Sequence, residues 1–316
     1  MEKQSGQVTA TSSGNEENMI ILSSYKDRPA LIVQSGRLQA AFLYQDGGKM
    51  ISLKDRTDGQ EFLVQRPGEE YKVLEYDGSY VDSECSAFDD LFPTVDPWTP
   101  EEGDFSGLTY PDHGEICRMP MEVRILGEKV ILSARSKLFR FLYQKQISCG
   151  AGGGIDLTYQ ITNQNDAQFP FVWAAHCMLQ GQDDCRVLTP FGEENPRVMM
   201  FGPDSEEERP LPYDRLVGFD AEEGPTYKYY FAERVPAGFC GIQYGDGKKL
   251  MFRYDKKKIP FLGIWLNNGM FQGLYNIALE PCTCPYDSPG NAMEHGIVCS
   301  LRPRETLTFT IRLMLE

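Results

Sequence analysis

Apolar residues recur at every second position along much of this chain and almost nowhere at helical spacing. RLQAAFLYQ (37–45), GIDLTYQITN (154–163) and TLTFTIRLML (306–315) alternate in this way, with Gly, Asp and Asn between such runs. Alternation over so few residues places successive side chains on opposite faces of a strand. Asp46-Gly47, Asp58-Gly59 and Asp246-Gly247 fall where antiparallel strands would reverse. The pattern predicts an all-β protein, a large antiparallel β-sandwich, with no internal repeat. Two stretches rich in Pro, Asp and Glu, 82–112 and 190–225, break the rhythm and are expected to be long loops, the usual carriers of function or movement. In the second, EEER (206–209) and AEEGP (221–225) read as solvated surface. CGAGGGID (149–156) is followed by no helical pattern, so it reads as a hairpin loop rather than a phosphate cradle.

Sorting strands by parity separates a bulky face from a polar one. In PFVWAAHCMLQ (170–180), Phe171, Trp173, Ala175, Cys177 and Leu179 share one face, and Val172, Ala174, His176, Met178 and Gln180 share the other. Tyr275, Ile277 and Leu279 oppose Asn276, Ala278 and Glu280. Leu262, Ile264 and Leu266 oppose Gly263, Trp265 and Asn267. Leu157, Tyr159 and Ile161 oppose Asp156, Thr158, Gln160 and Thr162. The first set in each strand suits a sandwich core. The second offers an aromatic plane, amides and ionisable groups, which are the residue types of a sugar site. Each has a plainer reading: His176 as a hydrogen-bonded structural group, Glu280 as one half of a rim ion pair.

The chain has 316 residues, 41% of them hydrophobic, which suffices for a large core. Its formal charge of −15 repels polyanions, so nucleic acid is not an expected partner. The first 18 residues are polar and are expected to form a flexible segment, with a single domain over 19–316. No stretch has the length of apolar residues that a membrane span requires, so no membrane partner is expected. Nine cysteines scattered among strands suit reduced thiols and a cytoplasmic location. Cys282 and Cys284 lie in PCTCP, but no second pair completes a zinc pattern, so no metal is expected there.

YPDHGEICRMP (110–120) ends the first long loop and carries His113 and Arg118. Arg118 offers a fork of donors for sugar hydroxyls or a carboxylate, and a loop ion pair is the alternative. At this point the sequence resembles the aldose 1-epimerase (galactose mutarotase-like) superfamily, including its hexose-6-phosphate-epimerase-like branches. DHGEICR is similar to the family segment with a His-Gly and a following Arg. WAAHCML is similar to the strand with the second histidine, YNIALEPCTCPYDS to the late strand with a glutamate, and LRPRETLTFTIRLML to the closing strands. The chain departs from the family in the HCMLQG ending of the second-histidine strand. It also has FDDLFPTVDPW in place of a glycine-rich loop, where Asp89 and Asp90 add negative charge beside the expected sugar.

The resemblance implies a supersandwich with a concave carbohydrate-binding face, and acid–base interconversion of the α and β anomers of a free aldose. It implies Glu280 as general base and His176 as general acid, with His113 and Arg118 positioning the sugar; the parity reading adds Trp265 and Asn267 as sugar-binding residues. No cofactor is called for, because both steps are proton transfers. The expected partner is a monosaccharide or a sugar phosphate, and the expected assembly a monomer or homodimer. Two alternatives stay open: a hexose-6-phosphate 1-epimerase, with Arg118 and Lys256–Lys258 as candidate cations, and a carbohydrate-binding protein without catalysis. A glycosidase lacks a second well-placed carboxylate. Lys256–Lys258 also reads as a solvated hairpin edge, and His295 as a surface or structural residue.

Overall fold

The computed structural model describes residues 18–181, 184–192, 195, 197–202 and 226–316. The N-terminal segment expected to be flexible lies, apart from Asn18, outside the described residues, as do EEER and AEEGP.

Four hairpin-linked strands open the chain: β1 (Asn18–Tyr25), β2 (Arg28–Ser35), β3 (Leu38–Leu43) and β4 (Lys49–Asp55). After β5 (Phe88–Leu91) come β6 (Glu122–Leu126), β7 (Lys129–Arg135), β8 (Phe141–Cys149) and β9 (Ile155–Asn163). The middle of the chain supplies β10 (Phe169–Pro170), β11 (Ala174–Gln180), β12 (Arg186–Leu188), β13 (Arg197–Phe201) and β14 (Tyr227–Phe231). The last part supplies β15 (Phe239–Gln243), β16 (Lys249–Tyr254), β17 (Phe261–Asn268) and β18 (Tyr275–Cys282). It closes with a short helix α1 (Pro289–Glu294), β19 (Ser300–Leu301) and β20 (Thr306–Leu315).

One sheet runs β1-β2-β3-β4-β5-β11-β18-β17-β14-β13 and the other β12-β15-β16-β20-β9-β8-β7-β6, while β10 pairs with β19. All strand pairs are antiparallel, and the two large sheets pack face to face as a β-sandwich. The interface holds the bulky faces read from parity: Phe171, Trp173, Cys177, Leu179, Leu262, Ile264, Leu266, Ile277 and Leu279 from one sheet, with Leu157, Tyr159 and Ile161 from the other. Trp173 bridges the layers, donating from Nε1 to the Tyr143 hydroxyl at 2.9 Å and meeting Phe309 edge-on at 4.6 Å. Burying such aromatic area is the main drive for closing the sandwich.

The structure corrects three of the expectations. The loop expected over 82–112 contains β5, and the one over 190–225 contains β13. The β5 sequence FDDL hid its strand because two acids interrupt it, yet both are neutralised: Lys49 donates to Asp89 at 2.5 Å and Lys145 to Asp90 at 2.9 Å. Asp90 faces the core, where the Tyr159 hydroxyl also donates to it at 2.9 Å. These aspartates therefore do not add loose negative charge beside a sugar. Third, the polar face of β9 belongs to the other sheet. Asp156 pairs there with Arg312 at 2.6 Å and Thr158 with Thr310 at 2.8 Å, on the far side of the molecule from the His176 face.

Residues 151–153 form a single turn within the β8–β9 hairpin, and Lys256–Lys258 occupy an exposed turn between β16 and β17. His295 ends α1, its ring stacked on Tyr286 at 4.3 Å. Among the described residues no helix is long and apolar enough to cross a membrane, and all nine cysteines are free thiols.

Candidate active site

The first sheet aligns the site along a single rung. Asp89 pairs with His176, Glu280 with Gly263, and Gly263 with Tyr230. The pairs Ala174↔Cys282 and Cys177↔Leu279 put His176 opposite Glu280. Paired residues share a face, so Asp89, His176, Glu280 and Tyr230 all project away from the core. One step along, Lys228 pairs with Trp265 and Trp265 with Ala278.

His176 Nε2 lies 3.8 Å from Glu280 Oε1. Glu280 is fully buried and His176 is 4% exposed. Among the described residues His176 Nδ1 and Glu280 Oε1 have no hydrogen-bond partner, a costly state for buried polar atoms. Glu280 Oε2 accepts from Lys228 Nζ. Burial pushes the Glu280 carboxyl up from its ordinary range, against the pull of Lys228. Burial, helped by the charges of His113, Lys228 and Lys49, holds the His176 imidazole well below its ordinary value.

Above this pair opens a cavity of about 210 Å³, walled by His176, His113, Tyr80, Trp265, Phe271 and Lys228, with Asp96 and Asp287 at one side. Trp265 lies 5.6 Å from the His176 ring at a shallow tilt, and Tyr80 meets His176 edge-on at 5.6 Å. An aromatic wall with carboxylates and imidazoles alongside suits the two faces of a pyranose.

His113 is placed by its local chain. Its backbone is left-handed, with φ 58°, and Gly114 follows at φ 77°. A Cβ on Gly114 would lie 2.4 Å from the Phe92 carbonyl oxygen, so only glycine lets the turn pack there. His113 Nδ1 bonds Asp112 Oδ1 at 2.7 Å and its ring stacks on Tyr80 at 3.9 Å. Asp112 also accepts the Tyr80 backbone N–H at 2.7 Å. Burial would raise the Asp112 carboxyl, but the bond and charge of His113 outweigh it and hold the group below its ordinary value. With Nδ1 committed to Asp112, Nε2 is the nitrogen left for a ligand.

Of the residues singled out in the sequence, His113, His176 and Trp265 line the cavity and Glu280 lies directly beneath it. Arg118 and Asn267 stand one layer back. The Arg118 guanidinium donates to the carbonyls of Asp112 at 2.8 Å and Gly114, bracing the His113 turn. Asn267 accepts from the Phe271 N–H at 3.0 Å and donates to the Phe271 carbonyl at 3.0 Å, bracing the turn that carries the Phe271 wall. Lys256–Lys258 do not line the cavity. Cys282 and Cys284 are buried thiols whose pKa values burial raises, and among the described residues no three His, Cys, Asp or Glu side chains gather as a metal cluster. Tyr80, Lys228, Tyr230 and Asp287 were not anticipated. The YKYYF strand does carry a signal, a lysine set among aromatics at alternate positions, whereas Asp287 and Tyr80 lie outside any periodic pattern.

No protein-family model and no curated protein matches the sequence. Solved structures do match in shape. The Slr1438 protein from Synechocystis superposes with a TM-score of 0.68 at 15% identity, covering 97% of this chain and 98% of that one. A galactose mutarotase-like protein from Clostridium acetobutylicum gives 0.66 at 15% identity, over 96% and 99%. The aldose epimerase homologue from C. elegans gives 0.58 at 13% identity, over 95% and 99%. The chain therefore has the galactose mutarotase-like fold.

Proposed function

We propose that the protein is an aldose 1-epimerase-like enzyme that interconverts the anomers of a free monosaccharide by opening and reclosing its ring. The observation that carries this reading is the buried His176–Glu280 pair at the cavity floor, each member with a polar atom that lacks a partner. Glu280 Oε1 takes the proton of the anomeric hydroxyl and His176 delivers one to the ring oxygen. The bond from C1 to the ring oxygen breaks as the C1 carbonyl forms. Rotation about the C1–C2 bond and the reverse proton transfers close the other anomer. The cycle needs one proton on the pair and returns it. Burial moves the glutamate up and the histidine down, so the site favours the uncharged form of each. Trp265 supplies the stacking plane, and His113 Nε2 meets a sugar hydroxyl.

A free sugar is favoured over a phosphorylated one because Asp96 and Asp287 flank the cavity and the Lys228 ammonium is already engaged by carboxylates. A binding protein without catalysis needs the aromatic wall but not the paired acid and base. We read residues 19–316 as a single enzyme domain acting in the cytoplasm, where nine free thiols stay reduced, as a monomer or homodimer. Polarimetry of freshly dissolved α-glucose and α-galactose tests the activity. Wild type should speed the decay of rotation, and His176→Ala and Glu280→Ala should follow the spontaneous rate. A wild type that accelerates neither sugar removes the reading.

A further inference from the structure

The two carboxylate oxygens of Glu280 face different groups. Oε1 is turned to His176 without a hydrogen bond, and Oε2 is held by Lys228 Nζ. Lys228 comes from β14, two strands away from β18, and reaches Glu280 across β17. On that strand Lys228 pairs with Trp265, and the neighbouring rung holds Gly263, which pairs with Tyr230 on one side and Glu280 on the other. A Cβ at 263 would lie 2.6 Å from the Tyr230 ring and 3.3 Å from Glu280 Cβ, so the glycine leaves the Tyr230 ring room beside Glu280. Lys228 is in turn held from its far side. Asp287 Oδ1 lies 3.5 Å from its ammonium and accepts the Tyr230 hydroxyl at 2.6 Å, while the Tyr230 ring lies 5.1 Å beneath it. Tyr230, Asp287, Lys228, Glu280 and His176 thus form one continuous line of polar contacts, buried throughout.

We propose that Lys228 is a positioning residue of this site, which pins Oε2 of Glu280 so that Oε1 alone faces the substrate, and which keeps that carboxylate ready to accept a proton. The proposal rests on the epimerase reading for its purpose, but not for its chemistry. The charged and titratable groups acting on Glu280 are Lys228 from β14, His176 from β11, Asp287 from the segment after β18, and His113 from the loop above. Burial raises the Glu280 carboxyl and Asp287 adds to that, whereas Lys228 is the strongest opposing influence. Burial alone would lower the lysine, yet Asp287 and Glu280 together hold its pKa above the ordinary value. A neutral side chain at 228 leaves burial and Asp287 acting in the same direction. Glu280 then carries a proton at the pH where a base is needed.

The test is a ¹³C titration of the Glu280 carboxyl, assigned by its loss in Glu280→Gln, in wild type, Lys228→Met and Lys228→Arg, beside the pH profile of mutarotation. In Lys228→Met the midpoint should rise by about one to three pH units, the usual reach of a neighbouring opposite charge, and the acid limb of the profile should rise with it. Lys228→Arg should stay close to wild type. A folded Lys228→Met whose Glu280 midpoint and acid limb do not move overturns the proposal, even if its rate falls. Should Lys228→Met not fold, Lys228→Met/Asp287→Asn compared with Asp287→Asn alone removes the surplus buried acid and reads the same shift. The titration needs no turnover. A wild type inactive in polarimetry therefore ends the epimerase reading, while the midpoints still decide the role of Lys228.

Discussion

Nε2 of His176 and Oε1 of Glu280 stand 3.8 Å apart on neighbouring strands, buried under a cavity and joined by no hydrogen bond. A buried polar atom without a partner costs on the order of 1–3 kcal/mol. Such a cost is sustained where a ligand completes the bonds.

Glu280→Gln keeps the shape and removes the ionisable carboxyl. On the acid–base reading it should lower kcat/KM for mutarotation by about 100-fold or more, with sugar affinity within a few-fold of wild type. Coupled enzymatic detection of one anomer gives the rate and calorimetry gives the affinity. A variant as fast as wild type would show that Glu280 carries no proton.

Stability should depend on pH through His176. Its folded pKa lies well below the ordinary 6.5 because burial, then His113, Lys228 and Lys49, disfavour the charge. Between those two values the unfolded chain binds more protons, so stability falls as pH drops below about 6.5 and is unaffected by this group above it. Glu280 acts in the opposite sense, since its raised folded pKa retains a proton that the unfolded chain has released. His176→Asn removes only the first contribution. Urea unfolding from about pH 7.5 to about pH 5 should show wild type losing more stability than the variant, and parallel losses would refute the assignment.

Lys145 is fully buried between the sheets, donating to Asp90 at 2.9 Å and to the Gly48 carbonyl at 3.1 Å. Lys145→Met strands Asp90 without its counter-charge and should cost about 3–5 kcal/mol. Adding Asp90→Asn should recover a large part of that loss. Denaturant titration of the single and double variants measures both, and additive effects would contradict a coupled pair.

Gly263→Ala places a methyl group 2.6 Å from the Tyr230 ring. Overpacking of this kind costs about 1–3 kcal/mol, and the displacement falls on Tyr230, which bonds Asp287 and lies beneath the Lys228 ammonium. The expected result is a lowered Tm together with a loss of activity larger than Tyr230→Phe causes. An unchanged Tm would mean that the rung has slack.

The core was legible in the sequence because strand parity is strict. Trp173, Leu179, Leu262 and Ile277 face inward as alternation requires. His176, Glu280 and Trp265 stood out for the same reason, being polar or isolated on the opposite faces of apolar strands. What stayed hidden depends on pairing between distant strands. Nothing near Glu280 in sequence says that Lys228 must reach it across β17, and the acids of β5 disguised a strand that Lys49 and Lys145 neutralise. Asp156 and its polar neighbours on β9 illustrate the converse. Parity assigns them a face but not a sheet.

The rung that joins Asp89, His176, Glu280, Gly263 and Tyr230 draws on five strands from distant parts of the chain. Apart from the β17–β18 hairpin, each pairing closes a longer loop before any contact repays the lost chain entropy. A nascent chain still lacking Tyr275–Cys282 therefore has no His176–Glu280 pair at all, and a refolding chain acquires one only when its central strands have docked. Recovery of activity during refolding would track the slowest step in sheet assembly rather than the appearance of secondary structure.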